Sequence, residues 1–405
     1  MTRTFLASVA LCAALWPFSA AVAVDRPSGF VGMRDSPYYR YEVRGQSSVS
    51  LRLSQSLWEG GATQARIALE KARLASARHA YADAAASLAF DAVAAHAEIL
   101  RQARLVDLAS RNVNDYASTI AMLQARAGNG LATPGDVDLV KSRLLRARGV
   151  LAEYRSALLG AKANFQKITG RPAPRSLAAI PLPRRAYTSA ASAIASSRVR
   201  NPRILAQAGV IEAAREEVHV AEGAFHPKVA IQAGPRWHFQ DTPQDSRNHG
   251  VEAMLTAQWN LFEGGATSAA RERAVAQTRQ ARHDLRHVAD SVEAEILSVW
   301  AHYEAAAERM GFYGESMRVA KEARKTFHEQ YMLGYKGLLD LLDADNEYFI
   351  AACQHTVAEG DRLVAAYRLL ALGGEILPAF DIPLPAFDAP ATGKQRSSLG
   401  RAKRQ

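Results

Sequence analysis

The chain contains one stretch twice, first as Leu57-Trp58-Glu59-Gly60-Gly61-Ala62-Thr63 and again, 204 residues later, as Leu261-Phe262-Glu263-Gly264-Gly265-Ala266-Thr267. Gly130 and Asp136 recur at the same distance, as Gly334 and Asp340. The register is therefore kept from residue 57 to residue 136 without a net insertion. This period is too long for a solenoid repeat, so the duplication predicts two halves of one pseudo-symmetric fold.

Each copy of the repeat is followed by a segment typical of a very long helix. Between Gly61 and Gly128 lie 66 residues without Gly or Pro, and 22 of them are Ala. A helix over this whole segment would be about 100 Å long at ~1.5 Å per residue. Its large apolar residues are sparse, which suits close packing against neighbouring helices. The second copy, 266–333, is interrupted only by Gly311 and Gly314. Shorter helices are predicted over 136–168, 203–223 and 338–372.

Each copy is preceded by a strand pattern. From Val251 to Leu261 the odd positions are apolar and the even positions mostly polar, and residues 49–57 show a similar alternation. This period of two predicts strands with one apolar and one polar face, with 228–239 as a partner strand. In an outer-membrane barrel the apolar face meets lipid and the polar face lines water. No second sheet is predicted, and aromatic residues gather near the strand ends, so a barrel is favoured over a soluble sandwich.

The N-terminus predicts export. Residues 1–23 read as a signal peptide, with Arg3, an apolar run over 5–16 and a small-residue cleavage site at Ala21-Val22-Ala23. A retained anchor is disfavoured because the apolar run is shorter than the ~20 residues that span a bilayer. Cleavage leaves Cys353 alone, which excludes an intramolecular disulfide and a cysteine metal cluster. The formal charge of +10 is concentrated in part in the last dozen residues; with export, it does not indicate a nucleic-acid partner.

These features together resemble the TolC family of outer-membrane channel proteins. The resemblance rests on the duplicated strand–corner–helix order, on Asn201-Pro202 opening a helix, and on the motif Tyr331-x2-Gly334-x5-Asp340-Leu341-Leu342-Asp343-Ala344. It covers roughly residues 40–375. It implies a mainly α fold with a membrane β-barrel, in which long α-helical hairpins form a periplasmic tunnel. It also implies a homotrimer whose chains share the barrel strands.

The function that the resemblance implies is a passive exit duct in the outer membrane of a Gram-negative bacterium, spanning into the periplasm. The expected partners are a periplasmic adaptor, an inner-membrane ABC transporter, exported protein cargo and outer-membrane lipid. The chain also looks like the type I secretion branch, which exports repeat-in-toxin proteins. No enzyme activity, cofactor, metal or nucleic acid is expected. A multidrug efflux channel and a periplasmic helical scaffold without a pore are the alternatives.

The resemblance also assigns site residues. Asp340 and Asp343 lie three apart on one helical face, and three copies would place six carboxylates around a narrow pore constriction, where an acidic ring favours cations. The alternative is that Asp340 caps its helix and Asp343 decorates the first turn. Tyr331, Lys336 and Asp136 match gate-closing positions, and the strand-to-helix corners fall at Gly60, Gly61, Gly264 and Gly265.

The two halves are predicted to be unequal. The predicted order is a signal peptide (1–23), first-half strands (24–57), first-half helices (58–170), a linker (171–200), a second-half helix (201–227), a second-half strand hairpin (228–262), second-half helices (263–375) and a disordered basic tail (376–405). A shift of 204 residues places the counterpart of helix 203–223 on the signal peptide. The first strand would then fall near 24–35, around Phe30-Val31-Gly32-Met33. Three strands per chain would give nine, which cannot close with antiparallel neighbours throughout.

Overall fold

The structure is a computed structural model, and it describes residues 19–25, 46–128, 132–174, 176–183, 187–240 and 249–385. The chain divides into two compact units. The first unit comprises residues 1–73 and 210–282, and the second comprises residues 74–209 and 283–405. None of the helices in the described part of the chain is long and apolar enough to cross a membrane.

Two long helices dominate the secondary structure, as the Ala-rich segments predict. The helices are α1 (Ala62–Gly128), α2 (Pro134–Thr169), α3 (Ala190–Arg200), α4 (Pro202–Glu222), α5 (Ala266–Met332), α6 (Leu338–Leu372) and α7 (Ile376–Ala379). Helices α1 and α5 have 67 residues each. Gly311 and Gly314 do not interrupt α5, because a glycine inside a helix costs only about 1 kcal/mol relative to alanine. Helix α3 lies within the segment predicted as a linker, 171–200.

The first unit contains a four-stranded antiparallel sheet. Its strands are β1 (Ser19–Asp25), β2 (Gln46–Trp58), β3 (Lys228–Gln240) and β4 (His249–Gln258), paired in the order β1-β2-β3-β4. Lys228 pairs with Gln258 at one end of the β3–β4 hairpin. A bulge interrupts the β2–β3 register between Ser56 and Trp58.

The first strand lies earlier in the chain than predicted. Strand β1 begins at Ser19, five residues before the predicted range of 24–57, and it includes Ala21-Val22-Ala23. The extended segment expected at Phe30-Val31-Gly32-Met33 lies outside the described residues. A fourth strand is therefore present, and it comes from the end of the predicted signal peptide. Among the residues that the structure describes, no helix precedes β2.

The duplicated motif forms the two corners between strand and long helix. All four corner glycines have positive φ, +62° and +82° at Gly60 and Gly61 and +59° and +89° at Gly264 and Gly265. At each corner the threonine hydroxyl donates to the glutamate that precedes the glycines, from Thr63 to Glu59 at 2.8 Å and from Thr267 to Glu263 at 2.9 Å. These bonds explain why Glu-Gly-Gly-Ala-Thr recurs as a unit.

The second unit has its core between the helices. Small residues allow close contact, as where the hydroxyl of Ser76 donates to the carbonyl of Ala206 at 2.8 Å. One buried cluster joins α3, α4, α5 and α6 through Ala193, Ile204, Val292, Ile296, Leu369 and Leu372. A second cluster joins α1, α6 and α7 through Ala86, Tyr367, Leu370, Ala371, Ile376 and Leu377.

Candidate functional site

The turn ends of the two helical hairpins, α1–α2 and α5–α6, share one buried cluster in the second unit. Its members come from all four helices: Tyr116, Leu123, Val137, Val140, Leu144, Ala147, Tyr331, Leu341 and Leu342. Three of them, Leu123, Val140 and Leu342, have no exposed side-chain surface. The hairpin ends of the two halves are therefore held together by apolar burial, and the predicted site residues surround this cluster.

Tyr331 is a member of this cluster and lies one residue before the end of α5. Gly334 has φ +82° and closes the helix with two bonds, from its own N–H to the Tyr331 carbonyl at 3.1 Å and from the Tyr335 N–H to the Gln330 carbonyl at 2.9 Å. This pattern is a Schellman motif, which needs a left-handed residue at the position of Gly334. The buried Tyr331 ring carries the Arg126 guanidinium over its face at 4.9 Å from the centroid.

Lys336 and Asp340 lie together at the start of α6. The Lys336 ammonium is 4.6 Å from the centroid of the Phe327 ring and 4.0 Å from the Asp340 carboxylate. The Gly337 N–H donates to Asp340 at 3.1 Å. Asp340 therefore does satisfy a backbone group at the helix start, where a negative charge is favourable, and its side chain is still 48% exposed. This position is compatible both with a helix cap and with a carboxylate of the pore constriction.

Asp343 lies one turn further along α6 and faces a cation of α2. Its carboxylate is 3.5 Å from the guanidinium of Arg143. The side chain of Asp343 is 68% exposed and that of Arg143 only 26% exposed. The pair joins α2 to α6, the second helices of the two helical hairpins. The sequence did not indicate this connection.

Asp136 caps its own helix. It follows Pro134 in the first turn of α2, accepts hydrogen bonds from the Thr133 N–H at 2.9 Å and the Thr133 hydroxyl at 2.8 Å, and donates its N–H to that hydroxyl at 3.2 Å. This reciprocal arrangement is a capping box. The hydrogen bonds from the Thr133 backbone and side chain lower the pKa of the Asp136 carboxyl. Among the described residues it makes no hydrogen bond or ion pair with Tyr331 or Lys336.

Thr133→Ala is expected to lower the free energy of unfolding by about 1 kcal/mol, the usual effect of losing an N-cap hydroxyl. The Asp136 carboxylate has a lowered pKa, so its contribution is present above its unfolded pKa and is lost as pH falls through the folded value. The difference between variant and wild type should therefore shrink in acid. Guanidinium unfolding of the detergent-solubilised protein at several pH values measures this, with Thr326→Ala, exposed on α5, as control. An equal difference at all pH values would contradict the capping assignment.

Sequence reasoning missed an ion network one to two turns from the site. The Arg324 side chain of α5 donates from Nε to Asp345 of α6 and from Nη2 to Asp115 of α1, both at 2.6 Å. The Asp345 side chain is only 8% exposed. Burial raises the pKa of the Asp345 carboxyl, although the Arg324 guanidinium acts in the opposite direction. The network connects both halves, and Arg324 is its shared cation.

Part of this network had a signal in the sequence. Arg324 precedes Tyr331 by seven residues and Asp345 follows Asp343 by two, so Arg324 lies on the same face of α5 as the motif tyrosine. A buried charge on that face calls for an opposite charge. The partner Asp115 lies 209 residues from Arg324 in the chain, and no local pattern indicates that contact.

The comparisons with known proteins cover most of the chain. The family model described as outer membrane efflux protein matches residues 34–171 and 193–375. Outer membrane efflux protein BepC of Brucella suis biovar 1 is 25% identical over 337 residues, 83% of this chain and 74% of BepC. Protein CyaE of Bordetella pertussis is 26% identical over 378 residues, 86% of this chain and 79% of CyaE.

Solved structures share the fold at lower identity. The outer membrane protein VceC of Vibrio cholerae matches with a TM-score of 0.73 and 19% identity, over 89% of this chain and 87% of VceC. CusC matches with a TM-score of 0.74 and 15% identity, over 88% of this chain and 83% of CusC. These likenesses confirm the predicted fold class, mainly α with a membrane β-barrel.

Proposed function

This chain belongs to the outer membrane efflux protein family, and from that membership we propose that it is the exit duct of a three-part machine that exports unfolded protein. It is an outer membrane channel protein of TolC type that extends into the periplasm, and its family consists of channels rather than enzymes. The finer part of the proposal concerns the cargo, a repeat-in-toxin type of protein, and the partners, a periplasmic adaptor and an inner-membrane ABC transporter.

The proposal of a duct rests on the exposed acidic face of the α5–α6 turn, which Asp340 and Asp343 form beside the buried cluster. Asp340 and Asp343 are 48% and 68% exposed, although the residues between them, Leu341 and Leu342, are buried. Packing therefore fixes the backbone that presents the two carboxylates. In a homotrimer, six of them around one axis would form a cation-attracting constriction.

Two further features support a homotrimer. The sheet ends on β1 and β4, whose outer edges have no partner strand in the described part of the chain, and open edges pair readily with another chain. Large apolar side chains are exposed on α2 and α5, at Leu145 (65%), Leu159 (67%), Phe312 (73%) and Val319 (51%). Residues 145 and 159 are two heptads apart and 312 and 319 one heptad apart, as expected for faces that pack against other helices.

The adaptor is expected to dock at the turn end of α5–α6. Leu333, Tyr335 and Leu339 are 71%, 80% and 57% exposed there. Exposed apolar residues grouped on a rigid turn are typical of a protein interface. Because the same turn carries the acidic face, we expect a partner that binds it to change the spacing of the carboxylates.

Replacement of Asp340 and Asp343 by alanine together is expected to lower the cation selectivity of the open channel, because the constriction loses its negative ring. The measurement is the reversal potential of purified trimers in planar bilayers under a potassium chloride gradient. Asp138→Ala on α2, also exposed, serves as the matched control. Unchanged selectivity in the double variant would remove the ring assignment.

A deletion strain separates the cargo classes. Loss of a large secreted protein from the culture medium, restored by the wild-type gene, is expected if the protein serves secretion. Increased drug susceptibility with an unchanged set of secreted proteins would instead support multidrug efflux, the second candidate; BepC is named an outer membrane efflux protein. A periplasmic scaffold without a pore would wash out of membranes in salt, whereas a channel needs detergent for extraction.

A further inference from the structure

The acidic face of the α5–α6 turn is accompanied by an equal number of cations. Per chain, the carboxylates are Asp340 and Asp343, and the cations within 4.0 Å of them are Lys336 and Arg143. The formal charge of the four groups cancels. A trimer would therefore bring six carboxylates and six cations to the constriction instead of six carboxylates alone.

Of the two cations, Arg143 has the more rigidly fixed position beside the acidic face. It comes from α2, where the neighbouring Leu144 is buried in the shared cluster, so its backbone is fixed by packing. Its side chain is 26% exposed, whereas that of Lys336 is 36% exposed and lies over the Phe327 ring. Among the described residues, Asp343 is the only carboxylate within ion-pair distance of Arg143. Within the described part of the chain, the Arg143 charge therefore lies beside Asp343 and beside no second carboxylate.

We propose that Arg143 is a selectivity-determining residue of this channel, because its guanidinium lies 3.5 Å from the Asp343 carboxylate and offsets part of the negative charge that attracts cations to the constriction. The inference rests on the proposed duct function. At about 0.1 M salt the Debye length is about 10 Å, and at 1 M it is about 3 Å. The guanidinium charge therefore acts on ions that pass the constriction at low salt and is screened at high salt.

The test is the reversal potential of the full-length protein in planar bilayers, with about 0.1 M potassium chloride on the dilute side. Arg143→Gln is expected to raise the cation-to-anion permeability ratio by about two- to tenfold, since each trimer loses three positive charges near the constriction. Arg143→Lys keeps the charge and should keep the wild-type ratio. Arg143→Gln combined with Asp343→Asn should return the ratio to that of the wild type. The increase in Arg143→Gln should diminish near 1 M salt.

The matched control is Arg148→Gln, which removes an exposed arginine of the same helix and should not change the ratio. If Arg143→Gln has no effect while Asp340→Asn lowers the ratio, the inference is wrong and the acidic constriction remains. If Arg143→Lys behaves like Arg143→Gln, the charge is not the cause and the inference is equally wrong. If no variant changes the ratio of a conducting channel, the constriction lies elsewhere. Absence of conductance in the wild type would overturn the duct itself.

Discussion

Gly60→Ala is expected to destabilise the protein by about 2–5 kcal/mol, whereas Gly264→Ala, at the same place in the duplicated motif, should cost only about 1–2 kcal/mol. Both glycines have nearly the same backbone conformation, with φ +62° and +59°. A side chain in the left-handed region costs roughly 1–2 kcal/mol in either position. The remaining difference comes from the surroundings.

A Cβ at Gly60 would lie 2.5 Å from the Cβ of His226 and 2.7 Å from the carbonyl oxygen of Gly223. One of these contacts is with backbone, which cannot rotate away. A Cβ at Gly264 would have no atom within 4 Å. Forcing an extra methyl into a filled site typically costs about 1–3 kcal/mol, and only the first corner incurs this cost.

The measurement is guanidinium-induced unfolding of both variants in the same detergent, followed by far-ultraviolet circular dichroism. The two substitutions are controls for each other, because they introduce the same methyl group at equivalent motif positions. Equal losses of stability would contradict the expectation. They would mean that the second corner is covered in the assembled protein, or that the residues around His226 move aside.

The corner pair also shows what the sequence could and could not predict. The motif itself predicted both turns, because Glu-Gly-Gly-Ala-Thr supplies the left-handed glycines and the hydrogen bond between threonine and glutamate. The crowding around Gly60 comes from Gly223 and His226, which both follow the end of α4 at Glu222. Identical local sequences thus acquire different surroundings from distant parts of the chain.

The long helices were the most predictable elements. Absence of Gly and Pro over 66 residues in the first copy, with a high alanine content, was sufficient to predict α1. The first strand was placed too late, because Ser19–Asp25 was interpreted as the end of a signal peptide. Small apolar residues such as Ala21 and Val22 suit a cleavage site and a strand equally well.

Only those features of the candidate site that lie close together in the sequence could be predicted. The resemblance to the TolC family assigned Tyr331, Gly334, Asp340 and Asp343 to one motif at the helix turn. The contact of Asp343 with Arg143 crosses between the two return helices, and pairing across such a distance depends on how the helices pack. The sequence therefore predicted the carboxylates and Lys336, and it did not indicate Arg143.

Arg324→Met is expected to lower the free energy of unfolding by about 3–5 kcal/mol at neutral pH, because it removes one partner of a buried ion pair. Arg324 donates to both Asp115 and Asp345, and the latter is 8% exposed. Loss of the guanidinium leaves the buried Asp345 without its ion-pair partner. Methionine fills a similar volume, so the effect measures the lost charge rather than a cavity.

The effect should depend on pH in a definite direction. Burial already raises the pKa of Asp345 in the wild type, and removal of Arg324 raises it further because the one strong opposing charge is gone. A carboxyl with a raised folded pKa contributes stability that is present below its unfolded pKa and is lost as pH rises through the folded value. Arg324→Met should therefore recover stability relative to the wild type as the pH falls from 7 towards about 4.

Two further variants make the result specific to the buried network. Arg318→Met removes the cation of an exposed pair with Glu315, whose side chains are 64% and 62% exposed, and because water screens such a pair it should change the stability far less than Arg324→Met. Asp345→Asn combined with Arg324→Met should be more stable than Arg324→Met alone, because the uncompensated charge is gone. The measurement is guanidinium unfolding of the wild type and the three variants, each at pH 7 and at about pH 5. A loss in Arg324→Met that is the same at both pH values, and that the second substitution does not relieve, would show that Arg324 stabilises the helices through packing and not through its charge.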